Sequence, residues 1–80
     1  MNESQKKEFI ELVAEYSDTP AEEITEDLKF REDLGFKSLN FMTFLGDVED
    51  AFDIEIDGDE VVNLATVGEA IEYAGGLLEE

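Results

Sequence analysis

Between Ser38 and Phe52 the apolar residues recur at helical spacing, and they do so on two faces rather than one. At about 100° per residue, Phe41, Phe44, Leu45, Val48 and Phe52 fall on one narrow face, the pattern of a helix with one side in a core. Leu39, Met42 and Gly46 fall on a different face, flanked by Thr43, Glu49 and Asp50. A helix that buries one face has no need of a second apolar patch. Either Leu39 and Met42 tuck beneath a neighbouring loop, or a partner docks on them.

The rest of the chain supplies partners for the core face. Phe9, Leu12, Val13 and Tyr16 repeat at i, i+3, i+4, i+7, with Ile10 widening the stripe, and predict a first helix from about Ser4 to Tyr16. Asp18-Thr19-Pro20 ends it. Thr19-Pro20-Ala21-Glu22 reads as a capping box with proline at the first helical position, so a short helical turn is expected next. Residues 25–37 read as a long ordered loop pinned by Ile24, Leu28, Phe30, Leu34 and Phe36, and long ordered loops in compact domains are usually functional. Asp57-Gly58-Asp59-Glu60 can cap a short third helix reaching about Leu64. Thr66-Val67-Gly68-Glu69 is a second capping box, opening a fourth helix with Val67, Ala70, Ile71 and Ala74 on its core face. Gly75-Gly76 is expected to end or fray that helix, leaving Leu77 and Leu78 on a tail. Asp53-Ile54-Glu55-Ile56 alternates, but one short run cannot make a sheet. The expected fold is all-α: a single domain over 1–80, a four-helix bundle with a long first loop and a short third helix.

Charge narrows the partners. Asp and Glu number 23 against 5 Lys and Arg, for a net of −18, and all five cations (Lys6, Lys7, Lys29, Arg31, Lys37) precede Ser38. From Ser38 onward there are 12 acids and no cation. Nucleic acid is excluded as a natural partner, because phosphate contacts need clustered cations, and anionic membrane surfaces are disfavoured likewise. The expected partners are proteins with basic patches. No apolar run approaches the roughly 18 residues of a membrane span and no export leader opens the chain, so a cytoplasmic monomer is expected.

Chemistry has few residues to work with. Without His or Cys there is no nucleophilic triad, no thiolate or imidazole metal site and no disulfide. Asp53, Glu55, Asp57, Gly58 and Asp59 imitate the opening positions of a calcium loop, but the twelfth position, which should be a bidentate glutamate, is Leu64, and the normally apolar eighth is Glu60. A non-catalytic protein is expected, with no dedicated metal site. What remains is Ser38, where the loop becomes the second helix. A serine there serves as an ordinary N-cap; the same place also suits an attached phosphate, since free amides and the helix dipole favour an anion.

At this point the sequence resembles the acyl carrier protein family along nearly its whole length. Leu34-Gly35-Phe36-Lys37-Ser38-Leu39 stands where the family has Leu-Gly followed by Asp-Ser-Leu, and Glu32-Asp33-Leu34-Gly35 resembles the approach to that serine. The stretch Val48-Glu49-Asp50-Ala51-Phe52-Asp53-Ile54-Glu55-Ile56 resembles the family's acidic helix end, and Thr66-Val67-Gly68-Glu69-Ala70-Ile71-Glu72-Tyr73 the opening of its last helix. The resemblance implies that Ser38 bears 4′-phosphopantetheine, transferred from coenzyme A by a phosphopantetheinyl transferase, and that the arm's thiol carries acyl cargo for acyl-loading and acyl-processing enzymes of fatty-acid, polyketide or similar lipid metabolism. It implies docking through helix two, which here means Leu39 and Met42 with Thr43, Glu49 and Asp50 around them. Lys37 stands where the family usually has Asp, and a cation there suits the arm's phosphodiester. Asn40 and Thr43 occupy positions often acidic in fatty-acid carriers, and Gly46 replaces a larger apolar residue; these departures suggest a specialised carrier. The competing reading is an unmodified acidic interaction module of the same fold that lost the arm through Lys37.

Overall fold

A computed structural model describes residues 1–79. Helix α1 spans Glu3–Tyr16, α2 Ser38–Phe52, α3 Gly58–Val61 and α4 Val67–Leu78, with a 3-10 turn at Ala21–Glu23. Among the described residues there is no strand beyond one isolated antiparallel bridge between Lys29 and Thr66. The expected four helices, long loop and short third helix are all present.

Helices α1, α2 and α4 turn the faces their spacing marked toward the core, though Leu12 and Tyr16 of the α1 stripe are only half-buried. From α1 come Phe9 and Val13, from α2 Phe44, Leu45, Val48 and Phe52, and from α4 Val67, Ala70, Ile71 and Ala74. Phe41 is only half-buried, at the edge of the core. The long loop contributes as much as a helix does: Ile24, Phe30, Leu34 and Phe36 are all buried in the same cluster. No described polar side chain is buried, so the interior is held by apolar packing rather than by internal ion pairs. Polar ties act at the edges. The Tyr16 hydroxyl donates to the Asp47 carboxylate and links α1 to α2. That bond raises the tyrosine's pKa above its ordinary value, because ionisation would break it and set two anions together.

Several local expectations need correction. Helix α1 starts one residue earlier than its apolar spacing indicated, because Asn2 and Gln5 form a reciprocal capping box (Gln5 N–H to Asn2 Oδ1 2.8 Å, Asn2 N–H to Gln5 Oε1 3.0 Å). The box expected at Thr19 does not form. Pro20 occupies the cap of the 3-10 turn without a side-chain bond, and the Thr19 N–H donates instead to Ser17 Oγ at 3.3 Å. Helix α3 is a single turn, capped by Asp57, whose carboxylate accepts the Asp59 N–H at 2.9 Å; it stops at Val61, short of Leu64.

The largest correction concerns Gly75-Gly76, which do not end α4. The helix runs through both to Leu78, which packs on the core. Gly75 is buried where the chain's start crosses α4: a Cβ there would sit 3.1 Å from the Met1 nitrogen, whereas one on Gly76 would meet nothing within 4 Å. One glycine thus permits a close approach and the other only costs helix propensity. Gly76→Ala should therefore raise stability by about 0.5 kcal/mol, and Gly75→Ala should gain clearly less, as read by chemical denaturation. Equal gains would show that the N-terminus does not press on α4.

Candidate functional site

Ser38 is placed by the loop before it. The Phe30 N–H donates to the Ala65 carbonyl at 3.0 Å and the Phe30 carbonyl accepts the Phe36 N–H at 2.8 Å, so Phe30 ties the loop both to the α3–α4 connection and to the approach to α2. The Leu34 and Asp33 N–H groups both reach the Lys29 carbonyl, at 3.1 and 2.9 Å, while the Asp33 carboxylate accepts the Lys29 N–H at 2.8 Å. Gly35 then takes a φ of 72°, a left-handed conformation natural to glycine, and reverses the chain into Phe36. Farther back, the Gly68 N–H donates to the Glu26 carbonyl at 2.8 Å. A Cβ on Gly68 would lie 3.1 Å from that same oxygen, so the loop crosses the start of α4 as closely as two backbones allow.

The cap of α2 is Lys37, in extended conformation, and not Ser38, which is the first helical residue. No side chain caps this helix. The first intrahelical-type bond, from the Phe41 N–H to the Lys37 carbonyl at 2.9 Å, leaves the amides of Ser38, Leu39 and Asn40 without an acceptor in the helix. Ser38 is exposed, and its hydroxyl forms no hydrogen bond among the described residues. The ordinary capping role is thereby set aside. A free hydroxyl stands beside three free amides at the positive end of a helix dipole.

Ser38 also borders an open cleft of about 450 Å³ between the 29–36 loop, α2 and the α3 region. Phe41, Met42, Val61, Val62 and Leu64 give it an apolar wall, and Lys29 and Arg31 stand at the loop side. Behind the wall the rings interlock: Phe30 lies 5.1 Å from Phe41 and 5.2 Å from Phe36, centroid to centroid. On the far side, the Tyr73 hydroxyl accepts the Asp57 N–H at 3.2 Å and donates to Glu60 Oε1 at 3.4 Å, which fastens α3 to α4. Burial, reinforced by Glu60, raises the Tyr73 pKa above its ordinary value.

The second stripe of α2 does not tuck under the loop. Leu39 is 83% exposed and Met42 59%. Val62, 75% exposed, is the third large exposed hydrophobic of the described residues. It lines the same cleft as Met42, and spacing within a one-turn helix was too short to reveal it. The polar neighbours differ in their freedom. Asp50 is exposed; Thr43 turns its hydroxyl back to the Leu39 carbonyl at 3.0 Å; Glu49 is half-buried and accepts the Ile56 N–H at 2.7 Å, holding the segment after α2. In the 53–60 segment Asp57 is used as a cap, and no cluster of three or more acids among the described residues is arranged to hold a metal ion.

The family model for the phosphopantetheine attachment site matches residues 7–74, with Ser38 near its middle. The chain belongs to that family. An acyl carrier protein of Beutenbergia cavernae is 41% identical over 66 residues, covering 82% of this chain and 80% of the relative. One of Exiguobacterium sibiricum is 43% identical over 63 residues, covering 79% and 80%. Among solved structures, the acyl carrier protein of Enterococcus faecalis superposes with a TM-score of 0.80 at 27% identity, over 94% of this chain and 95% of that one. A phosphopantetheine-binding carrier role follows, with covalently attached 4′-phosphopantetheine as the cofactor. An exposed hydroxyl, free amides and an adjacent apolar cleft fit that group. No described helix is long and apolar enough to cross a membrane.

Proposed function

We propose that the protein carries acyl or related intermediates as thioesters on an arm esterified to Ser38 Oγ, and delivers them to enzymes of a fatty-acid, polyketide or similar dedicated pathway. The observation that carries this reading is the environment of Ser38: a hydroxyl free of internal hydrogen bonds at an uncapped helix start. Once bound, the arm supplies the thiol that this cysteine-free chain lacks. The chain's own residues hold and present it. The free amides of α2 face the phosphate, and Lys37, exposed and directly before the serine, offsets its charge. Chemistry on the cargo belongs to the partners, in the cytoplasm, where a separate transferase draws the arm from coenzyme A.

Partners dock on α2 in this reading. Leu39 and Met42 form the apolar centre, with Thr43, Glu49 and Asp50 at the polar rim, and the cation-free acidic half steers basic enzymes toward them. Tethering raises the effective concentration of cargo at each docked enzyme.

Incubation with coenzyme A and a broad-specificity transferase should add roughly 340 Da to the intact mass, the increment of the arm, and Ser38→Ala should abolish the gain. An unmodified wild type, tested with several transferases, would remove the main support of the reading. Met42→Arg should weaken binding to a cognate enzyme about tenfold or more, as loss of an interface centre does. Because Met42 is mostly exposed, helical circular dichroism should not change. Unaltered affinity would reject this face of α2 as the docking surface.

A further inference from the structure

The chain has 23 acids and 5 cations, and what sets one cation apart is its place in the fold. One ion pair forms among the described residues, Lys29 with Glu32 at 3.2 Å. Arg31 lies between those two in sequence, is the chain's single arginine, and pairs with neither an acid nor a carbonyl. It lines the cleft that Ser38 borders. The buried Phe30 fixes it there, since both backbone groups of Phe30 are bonded and one of them holds Phe36, two residues before Ser38. Lys37 does not line the cleft, but it is exposed and immediately precedes Ser38 at the cap of α2.

An anion on Ser38 meets an asymmetric field. Down α2 the next charged groups are Asp47, Glu49 and Asp50, all repulsive. Attraction comes from the loop side, where Arg31 and Lys29 line the cleft and Lys37 precedes the serine, together with the amides of the first helical turn. Lys29 is already paired with Glu32, the acid that lines the same cleft. A guanidinium presents a planar fork that matches two phosphate oxygens at once, and lysine adds a point charge.

We propose that Arg31 and Lys37 form a two-cation clamp on the phosphodiester joining the arm to Ser38, and that the clamp turns the arm into the cleft against Phe41, Met42 and Val62. The clamp rests on Ser38 bearing the arm. It gives Lys37, the residue directly before the serine, a purpose. It also gives the arm a resting site whose occupancy depends on salt, because both cations are exposed and screened. The apolar wall of the cleft suits the geminal methyl groups next to the arm's phosphate end.

The single arginine makes the test clean, because the Nε–Hε spectrum of the labelled protein holds one arginine side-chain signal. Apo and holo forms are first distinguished by intact mass. On conversion to the holo form at about 50 mM salt the Arg31 signal should move downfield and sharpen, and about 500 mM salt should reverse most of that change. Met42 and Val62 methyl signals should move with it, and should move much less in holo Arg31→Gln. Arms loaded with acetyl and with succinyl groups should leave the Arg31 signal close to its holo position. An Arg31 signal identical in apo and holo protein overturns the clamp while leaving the carrier reading intact. A shift that appears only with the succinyl arm overturns it too, assigning Arg31 to a cargo carboxylate. Absence of any mass gain overturns both readings together.

Discussion

The site depends on how the 25–37 loop is fastened to the helices, and that fastening is aromatic. Phe36 lies 5.6 Å from Phe44 of α2, Phe44 lies 5.5 Å from Phe9 of α1, and Phe30 reaches Phe36, Phe41 and Phe44 together. Each such pair adds about 0.5–1.5 kcal/mol beyond the burial of its area, which supplements the larger stabilisation from burying Phe30, Leu34 and Phe36 themselves. Phe36 stands two residues before Ser38. Anchoring it fixes where α2 begins, which amides stay free and which way the serine faces.

A small acidic protein must also avoid spending its few cations on internal contacts. Among the described residues no polar side chain is buried, and the interior is an aromatic and aliphatic cluster. Carboxylates can therefore remain on the surface, where solvent moderates their repulsion and where they steer partners. Three of the five cations lie within the loop that precedes Ser38. Cations are thus confined to the residues before Ser38, and the helices from Ser38 onward carry only acids.

Much of this was legible in the sequence, and the exceptions have a common cause. The bounds of α2 follow from its own periodicity, and its end near Phe52 agrees with the left-handed Asp53 that closes it. The end of α4 does not, because Gly75 answers to Met1 at the opposite end of the chain and local helix rules see only a pair of breakers. Leu39 and Met42 were recognisable as a second stripe, but whether the loop covers them depends on where Phe30 and Phe36 carry it. Ser38 suits both the cap and the first helical position by type; the extended backbone of Lys37 decides between them. Arg31 is only one charge among many in the sequence, and the fold alone shows that it lines the cleft Ser38 borders.

The central claim is that this chain works as a carrier through a group attached at Ser38, and it is tested most directly on protein purified from its native host. Tandem mass spectrometry of the peptide containing Ser38 should find the added phosphopantetheine mass at that residue, with a pantetheine fragment ejected on activation and cargo still attached to part of the population. Recovery of that peptide only in unmodified form would contradict the account.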